Sequence, residues 1–451
     1  MIVFRRRLIF WLIRAYFRKW GQTILIFFVF GLLSFFALRY AVRVLPSSFP
    51  LLSRNVVGMS GAYTINDLPP VVLEKISKGL TYVSPDGVIR PDIASSWRIE
   101  KEGKQYTFFL KKDIYFSDGT HLTSKHISYG FTDATVEKPD EYTVVFKLKD
   151  TYSPFLITVS RPVFKKGFIG VGNYKIKDLK QNGSFVSFID LASAKDSSDI
   201  LKYVFYPTED ALKMAFVLGE VSEINNIHNL SFKNTDLSKF GKPEIKKVLN
   251  QRQLVVLFYN TKDPALSDKK VRQAFSYVIP DEFSDGQRNP GPFPPSSWAN
   301  SESGQYIQNI DGAKDLLKSS DSASNAASLK FSLKTLSQYK NTAKIVKENL
   351  RKINVDVEIE EVESVPDNFQ MFLGDFNLSK DPDQYVLWHS NHSSNITGYK
   401  NLRIDKLLED GRKTIDINER KEIYADFQKY LLDDAPASFL YLPYTYEISR
   451  N

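Results

Sequence analysis

The feature that most constrains this 451-residue chain is a run of nineteen uncharged residues near its start, residues 20–38. At 1.5 Å per residue a helix of this length spans about 29 Å, close to the thickness of a bilayer's hydrocarbon core. Trp20 and Tyr40 lie where an aromatic belt is expected at the membrane surfaces. The run predicts one transmembrane helix within residues 20–43.

Basic residues flank this run and account for the net charge of +8. Eight of the 60 basic residues and none of the 52 acidic residues lie before residue 44. The rest of the chain therefore has no net charge. A basic nucleic-acid-binding surface is therefore not indicated. Six of the eight precede the apolar run. The positive-inside rule thus predicts a cytoplasmic segment, residues 1–19, and export of the remainder to the periplasmic or extracellular face of the cytoplasmic membrane.

A cleaved signal peptide is the alternative interpretation of the same run. An uncleaved signal anchor is favoured because the apolar run exceeds a usual signal-peptide core and Arg39 interrupts the expected cleavage site. The chain has no cysteine, which excludes cysteine-linked lipid, disulfides and thiolate metal sites. Residues 44–54 then read as a tether.

The exported part reads as a mixed α/β protein. Residues 106–111 and 142–149 alternate apolar and polar side chains, which predicts half-buried antiparallel strands. Residues 329–359 show strand, helix and strand periodicity in turn, which predicts a βαβ unit with parallel strands. An apolar stripe over residues 423–431 predicts a helix that stops before Pro436.

Several segments resemble the family 5 extracellular solute-binding proteins, which bind oligopeptides, dipeptides or nickel. Residues 79–97 are similar to the family pattern G-L … D-G-x-I-x-P-x-L-A-x-S-W. Residues 106–124, YTFFLKKDIYFSDGTHLTS, resemble Y-T-F-x-L-R-x-G-V-x-F-H-D-G-x-P-L-T-A. Weaker matches follow in the family's order at residues 170–175, 218–220, 271–279, 381–383, 395–399, 405–408, 419–420 and 424.

The resemblance implies an α/β fold of the type II periplasmic-binding-protein kind, with two lobes and an extra antiparallel subdomain on lobe I. Mapped onto this sequence, lobe I covers residues 55–260 with the subdomain at about 65–165, and lobe II covers 261–438. Residues 439–451 return to lobe I. The strands that join the lobes then carry the predicted hinge residues, Tyr259, Asn260 and Tyr441.

The implied function is the capture of a peptide or peptide-like solute by hinge closure, on behalf of an ABC permease and its ATPase subunits. Family members enclose the ligand between the lobes, without cofactor or catalysis. The candidate ligand contacts here are Tyr63, Asp375, Phe376, Asn377, Asp381, Asp383, Trp388, Asn391, Asn395 and Tyr399. Trp388 is open to two interpretations, core residue or pocket wall.

One position departs from the family. Oligopeptide binders of the family carry G-W-x-x-D-Y-x-x-P, whose aspartate pairs with the peptide's ammonium group, and in this chain that aspartate is replaced by Leu378. A leucine cannot neutralise a buried ammonium. Either Asp375 or Asp381 takes over, or the ligand lacks a free amino terminus.

Other functions remain open from the sequence alone. His389 and His392 are favoured as surface or rim residues over a metal pair, with nickel as the alternative metal. The same fold also suits a solute sensor or a partner-binding module that does not transport. An extracytoplasmic hydrolase is the third possibility, and it requires an acid–base pair such as Asp381 with Asp383.

Overall fold

The computed structural model describes residues 2–48, 55–84, 87–196, 198–302, 304–321 and 329–450. The helices of these residues are α1 (Ile2–Ser48), α2 (Pro70–Ile76), α3 (Phe155–Thr158), α4 (Glu209–Leu218), α5 (Lys269–Tyr277), α6 (Ile310–Lys318), α7 (Lys340–Arg351), α8 (Tyr385–Trp388), α9 (Leu402–Lys413) and α10 (Ile417–Asp434).

The strands are β1 (Asn55–Ser60), β2 (Thr81–Val83), β3 (Ile89–Pro91), β4 (Ala94–Glu100), β5 (Gln105–Leu110), β6 (Ala134–Asp140), β7 (Thr143–Leu148), β8 (Tyr174–Asn182), β9 (Phe185–Ser193), β10 (Ile200–Tyr206), β11 (Glu223–Ile227), β12 (Ser231–Phe232), β13 (Thr235–Asp236), β14 (Glu244–Leu249), β15 (Gln253–Tyr259), β16 (Gly286–Arg288), β17 (Leu329–Leu336), β18 (Val355–Val362), β19 (Met371–Asn377) and β20 (Ala437–Ser449).

The N-terminal helix α1 contains the apolar run. Its segment Arg18–Ala37 is long and apolar enough to cross a membrane by length and composition. Large apolar side chains along it, such as Phe27 and Phe28, are exposed. The helix continues to Ser48 and so includes the first residues of the tether predicted for 44–54, whose residues 49–54 lie outside the described residues.

The largest sheet of the body is held together by its last strand. β20 pairs through Ala437–Tyr441 with β15 and through Tyr444–Ser449 with β14. We call β1, β8–β11 and β14 the N-half of the sheet, and β15–β19 the C-half. Between β14 and β15 the chain passes from one half to the other at residues 250–252, where the Asn250 amide donates to the Pro443 carbonyl at 2.9 Å.

The predicted elements of the body are present. β5 and β7 pair antiparallel inside a separate four-stranded sheet, order β4-β5-β7-β6, which forms the core of the extra subdomain. β17, α7 and β18 form the βαβ unit, with Leu329 opposite Val355 in parallel register. α10 ends where Ala435 adopts a left-handed conformation, just before Pro436.

The C-half sheet is buried on both faces. Along β15, Val255, Leu257 and Tyr259 contact one apolar cluster, while alternate residues such as Leu254 and Phe258 contact another. A strand with both faces apolar is typical of a sheet covered by helices on either side. This sheet is therefore a rigid base for the loop that follows β19.

Candidate functional site

A cavity of about 510 Å³ lies between the extra subdomain and the C-half, and the loop after β19 lines part of it. We call it the site cavity. Among the described residues its lining comes from four segments: residues 83–84 with Gly87, residues 251–252, and parts of 293–298 and 376–387. Because the first segment leads into the subdomain and the last belongs to the C-half, a ligand here contacts both parts.

The Asp-Pro-Asp segment, residues 381–383, gives the loop its shape. Asp381 Oδ1 accepts the Asp383 amide at 3.0 Å, and Asp383 Oδ1 accepts the Tyr385 amide at 3.0 Å. Such turns, in which a carboxylate binds the amide two residues later, are the usual local role of aspartate beside proline. They place α8 directly after the segment.

Both carboxylates are also ion-paired. Asp381 and Arg420 lie 2.8 Å apart, with about 5% of each side chain exposed. Burial raises the pKa of the Asp381 carboxyl, and the Arg420 guanidinium opposes that rise. Asp383 Oδ2 accepts a 2.8 Å hydrogen bond from Arg412 Nε and lies 2.8 Å from a terminal nitrogen of the same guanidinium. This guanidinium stacks 3.8 Å from the centre of the Tyr385 ring. The structure therefore uses both aspartates internally.

A proline- and serine-rich loop, residues 289–298, forms another wall. Asn289 fixes its start by donating to the Gly291 carbonyl at 2.7 Å. Gln384 donates to the Pro292 carbonyl at 2.7 Å, which joins this loop to the one after β19. Trp298 lines the cavity and stacks over the Arg420 guanidinium at 5.1 Å. This wall thus offers both apolar and polar side chains to the cavity.

A second, larger cavity of about 820 Å³ lies on the other side of the Asp383–Arg412 pair. Arg412 and Tyr385 line it from the C-half, and residues 130–134 and 148–158 line it from the subdomain. Ser153 links the two parts beside it, with its amide 2.7 Å from the Arg412 carbonyl. We take the site cavity as the candidate site because the loop after β19 lines it.

The structure brings four of the predicted contact residues together. Phe376, Asn377, Asp381 and Asp383 all line the site cavity. Asp375 does not line the site cavity. Its carboxylate accepts a 2.7 Å hydrogen bond from Gln253.

Trp388 belongs to the core, and its inclusion among the ligand contacts is corrected. Its side chain is fully buried and its indole N–H donates to Gln384 Oε1 at 2.8 Å. The ring packs between Phe258 and Phe439. A side chain enclosed in this way has no surface left for a ligand.

The remaining predicted contacts lie away from the site cavity. Tyr63 packs on Phe205 in the N-half, with ring centroids 5.2 Å apart. Asn395 donates to the Tyr399 carbonyl at 2.8 Å and so shapes its own loop, while Asn391 is exposed in the same loop. The Tyr399 hydroxyl donates to Asp434 at 2.5 Å.

The predicted hinge residues are packed inside the C-half. Tyr259 and Tyr441 are fully buried, and their hydroxyls share hydrogen bonds with Ser438 and Thr342 at 2.5 and 2.8 Å. Asn260 donates to the Phe369 carbonyl at 3.0 Å. The hinge and the lobe boundaries stay predictions.

His389 and His392, for which a metal pair was the less favoured interpretation, stabilise the loop in which they lie. His389 and His392 each accept a backbone amide at Nδ1, at 3.3 and 3.2 Å. Within the described residues, no three histidine, aspartate or glutamate side chains are grouped as a metal site would require. Neither ring lines the site cavity.

Sequence reasoning missed two cations of the site cavity, Arg252 and Lys380. Lys380 lies within the loop that carries the family resemblance, where no local pattern distinguishes a lysine that lines a cavity from an ordinary surface lysine. Arg252 lies at the passage between the sheet halves, and only the pairing of β14 and β15 reveals that position.

Comparison with known proteins decides the family. Residues 88–398 match the bacterial extracellular solute-binding proteins, family 5 (middle region). The chain belongs to this family. A relative in Escherichia coli, described as a probable D,D-dipeptide-binding periplasmic protein, is 22% identical over 424 residues, which cover 80% of this chain and 81% of the relative.

Solved structures of the family share the fold. The Bacillus subtilis oligopeptide-binding protein AppA in complex with a nonapeptide superposes with a TM-score of 0.67 at 23% identity, covering 88% of this chain and 94% of AppA. Campylobacter jejuni NikZ in complex with Ni(L-His) gives 0.72 at 20% identity, with the same coverage. The chain is thus similar to binding proteins for different ligands, and the predicted two-lobed α/β fold is confirmed.

Proposed function

We propose that this chain is the membrane-anchored capture subunit of an ABC importer and that it binds a peptide or peptide-like solute. The observation that carries the proposal is the site cavity, which is lined by both the extra subdomain and the C-half. A ligand in such a cavity stabilises the state in which the two parts are close. Family membership supplies the context of solute capture.

Closure of the two parts around a ligand requires the chain to bend at both places where it passes between the halves of the sheet. We place them at residues 250–252 and at Pro443, where the sheet pairing changes from one half to the other. The two passages are adjacent, since the Asn250 amide binds the Pro443 carbonyl. Hinges of this kind absorb the motion in a few residues at the ends of elements.

Thermal unfolding of the full-length chain in nanodiscs tests the proposal. A pool of short peptides should raise the melting temperature, because a ligand at 100 times its Kd adds about 2.7 kcal/mol to the stability of the folded state. An equimolar mixture of free amino acids serves as the comparison. If peptides and free amino acids act alike at every concentration, peptide capture is wrong.

A matched pair of variants locates the binding. Asn377→Trp places an indole in the site cavity and should abolish the peptide effect. Asn182→Trp places the same side chain on the exposed hairpin between β8 and β9 and should leave it intact. Equal responses of the two variants would move the site elsewhere.

A further inference from the structure

The charges around the site cavity are unequal once internal ion pairs are considered. Among the residues that the structure describes, four ionisable side chains line it: Arg252, Lys380, Asp381 and Asp383. Asp381 is neutralised by Arg420, and Asp383 by Arg412. Neither carboxylate therefore offers an uncompensated negative charge to a ligand.

Arg252 provides an uncompensated positive charge. Its side chain is exposed and makes no ion pair within the described part of the chain. Its carbonyl accepts the Leu378 amide at 2.7 Å, which ties this cation to the loop after β19. A guanidinium stays protonated at any physiological pH and binds carboxylates through two parallel hydrogen bonds.

Lys380, which lies in the loop after β19, supplies a second cation. Its ammonium lies 3.8 Å from Glu74, and 31% of the lysine side chain and 55% of the glutamate side chain are exposed. An ion pair this long and this exposed contributes little and does not hold the lysine against a better partner. Lys380 can therefore turn to an anionic ligand.

The aspartate that remains does not reverse this balance. The Asp375 carboxylate is already used as the acceptor of a 2.7 Å hydrogen bond from Gln253. It does not line the site cavity. A ligand ammonium entering the cavity would meet Leu378, two compensated carboxylates and two cations, which is an unfavourable environment for positive charge.

We propose that the ligand is an acidic, peptide-like molecule whose carboxylates are bound by Arg252 and Lys380, and that no free amino terminus is recognised. The inference rests on the proposed function and names the ligand class of the same site. The two cations set specificity by attracting anionic ligands and by repelling a terminal ammonium.

Isothermal titration calorimetry with the full-length chain in nanodiscs tests this with three pentapeptides. The probes are pentaalanine, N-acetylated pentaalanine, and an N-acetylated pentapeptide with two glutamates among alanines. We expect the acetylated acidic peptide to bind at least about tenfold more tightly than pentaalanine, and acetylation alone not to weaken binding.

Two variants with matched controls assign the effect. Arg252→Gln and Lys380→Gln should each weaken binding of the acidic peptide about fivefold and change pentaalanine binding less than about twofold. The controls remove exposed cations elsewhere: Arg98→Gln on β4 and Lys177→Gln on β8 should change nothing.

The possible results distinguish failure of this inference from failure of the proposed function. Tightest binding by free-amine pentaalanine, with no loss in either variant, overturns the anionic class and leaves peptide capture standing. If none of the pentapeptides binds at any concentration, both proposals fall together.

Discussion

At the residue scale, the buried pair of Asp381 and Arg420 is the most sensitive contact of the site. Asp381→Asn leaves the Arg420 guanidinium charged and enclosed without its carboxylate, because arginine cannot lose its proton. We expect the free energy of unfolding to fall by about 3–5 kcal/mol. Urea denaturation of the full-length chain, followed by tryptophan fluorescence, measures the loss.

The control for this change is the exposed pair of Asp315 and Lys318, whose side chains are 76% and 77% exposed. Asp315→Asn should alter the free energy of unfolding by less than about 0.5 kcal/mol. Similar losses in the two variants would mean that burial does not decide the contribution of the pair.

The same residues show how far the sequence predicts the site. The Asp-Pro-Asp segment is recognisable because its turn chemistry and its family resemblance are both local. Its partners are not: Arg412 and Arg420 come from residues 29 and 39 positions away along the chain. Whether a carboxylate faces a ligand or an internal guanidinium depends on packing between α9, α10 and the loop, which no local pattern specifies.

At the element scale, the βαβ unit contains a strained connection. Asn354, between α7 and β18, has φ of +61°, a left-handed conformation that asparagine and glycine tolerate and β-branched residues do not. Asn354→Val should lower the free energy of unfolding by about 1–2 kcal/mol. The free energy of unfolding of Asn354→Gly should lie within about 0.5 kcal/mol of that of the unsubstituted chain. Equal losses in both variants would show that the amide side chain, and not the backbone conformation, causes the effect.

The sequence predicts the elements that have local periodicity, but it does not predict which strands pair with one another. β5, β7, β17, α7 and β18 follow from alternation or helical spacing over a few residues. β20 has an equally clear apolar pattern, but its use by both halves of the sheet arises from pairing with β14 and β15, which end nearly 200 residues earlier in the chain. The hinge predicted at Tyr259, Asn260 and Tyr441 stays a prediction. The change of pairing at residues 250–252 and Pro443 is a separate feature that no local pattern indicates.

At the scale of the whole molecule, the orientation across the membrane is open to direct measurement, because the chain has no cysteine of its own. Arg6→Cys places a thiol before the apolar run, and Lys344→Cys places one on the exposed face of α7. In intact cells stripped of any outer layer, a membrane-impermeant maleimide should label Lys344→Cys at once and Arg6→Cys only after permeabilisation. We expect this result because six cations before the run favour a cytoplasmic N-terminus.

The labelled products also distinguish an anchor from a cleaved signal. An uncleaved chain keeps its full mass and stays in the membrane fraction after alkaline carbonate washing, whereas cleavage near Arg39 would release a shorter soluble body. Reversed labelling would contradict the orientation, and release would contradict the anchor. Retention would keep the site cavity tethered beside the membrane, so that captured solute reaches a permease without free diffusion of the binding protein. A permanent helix would thus anchor this chain to the membrane, since a chain without cysteine cannot carry a lipid attached to that residue.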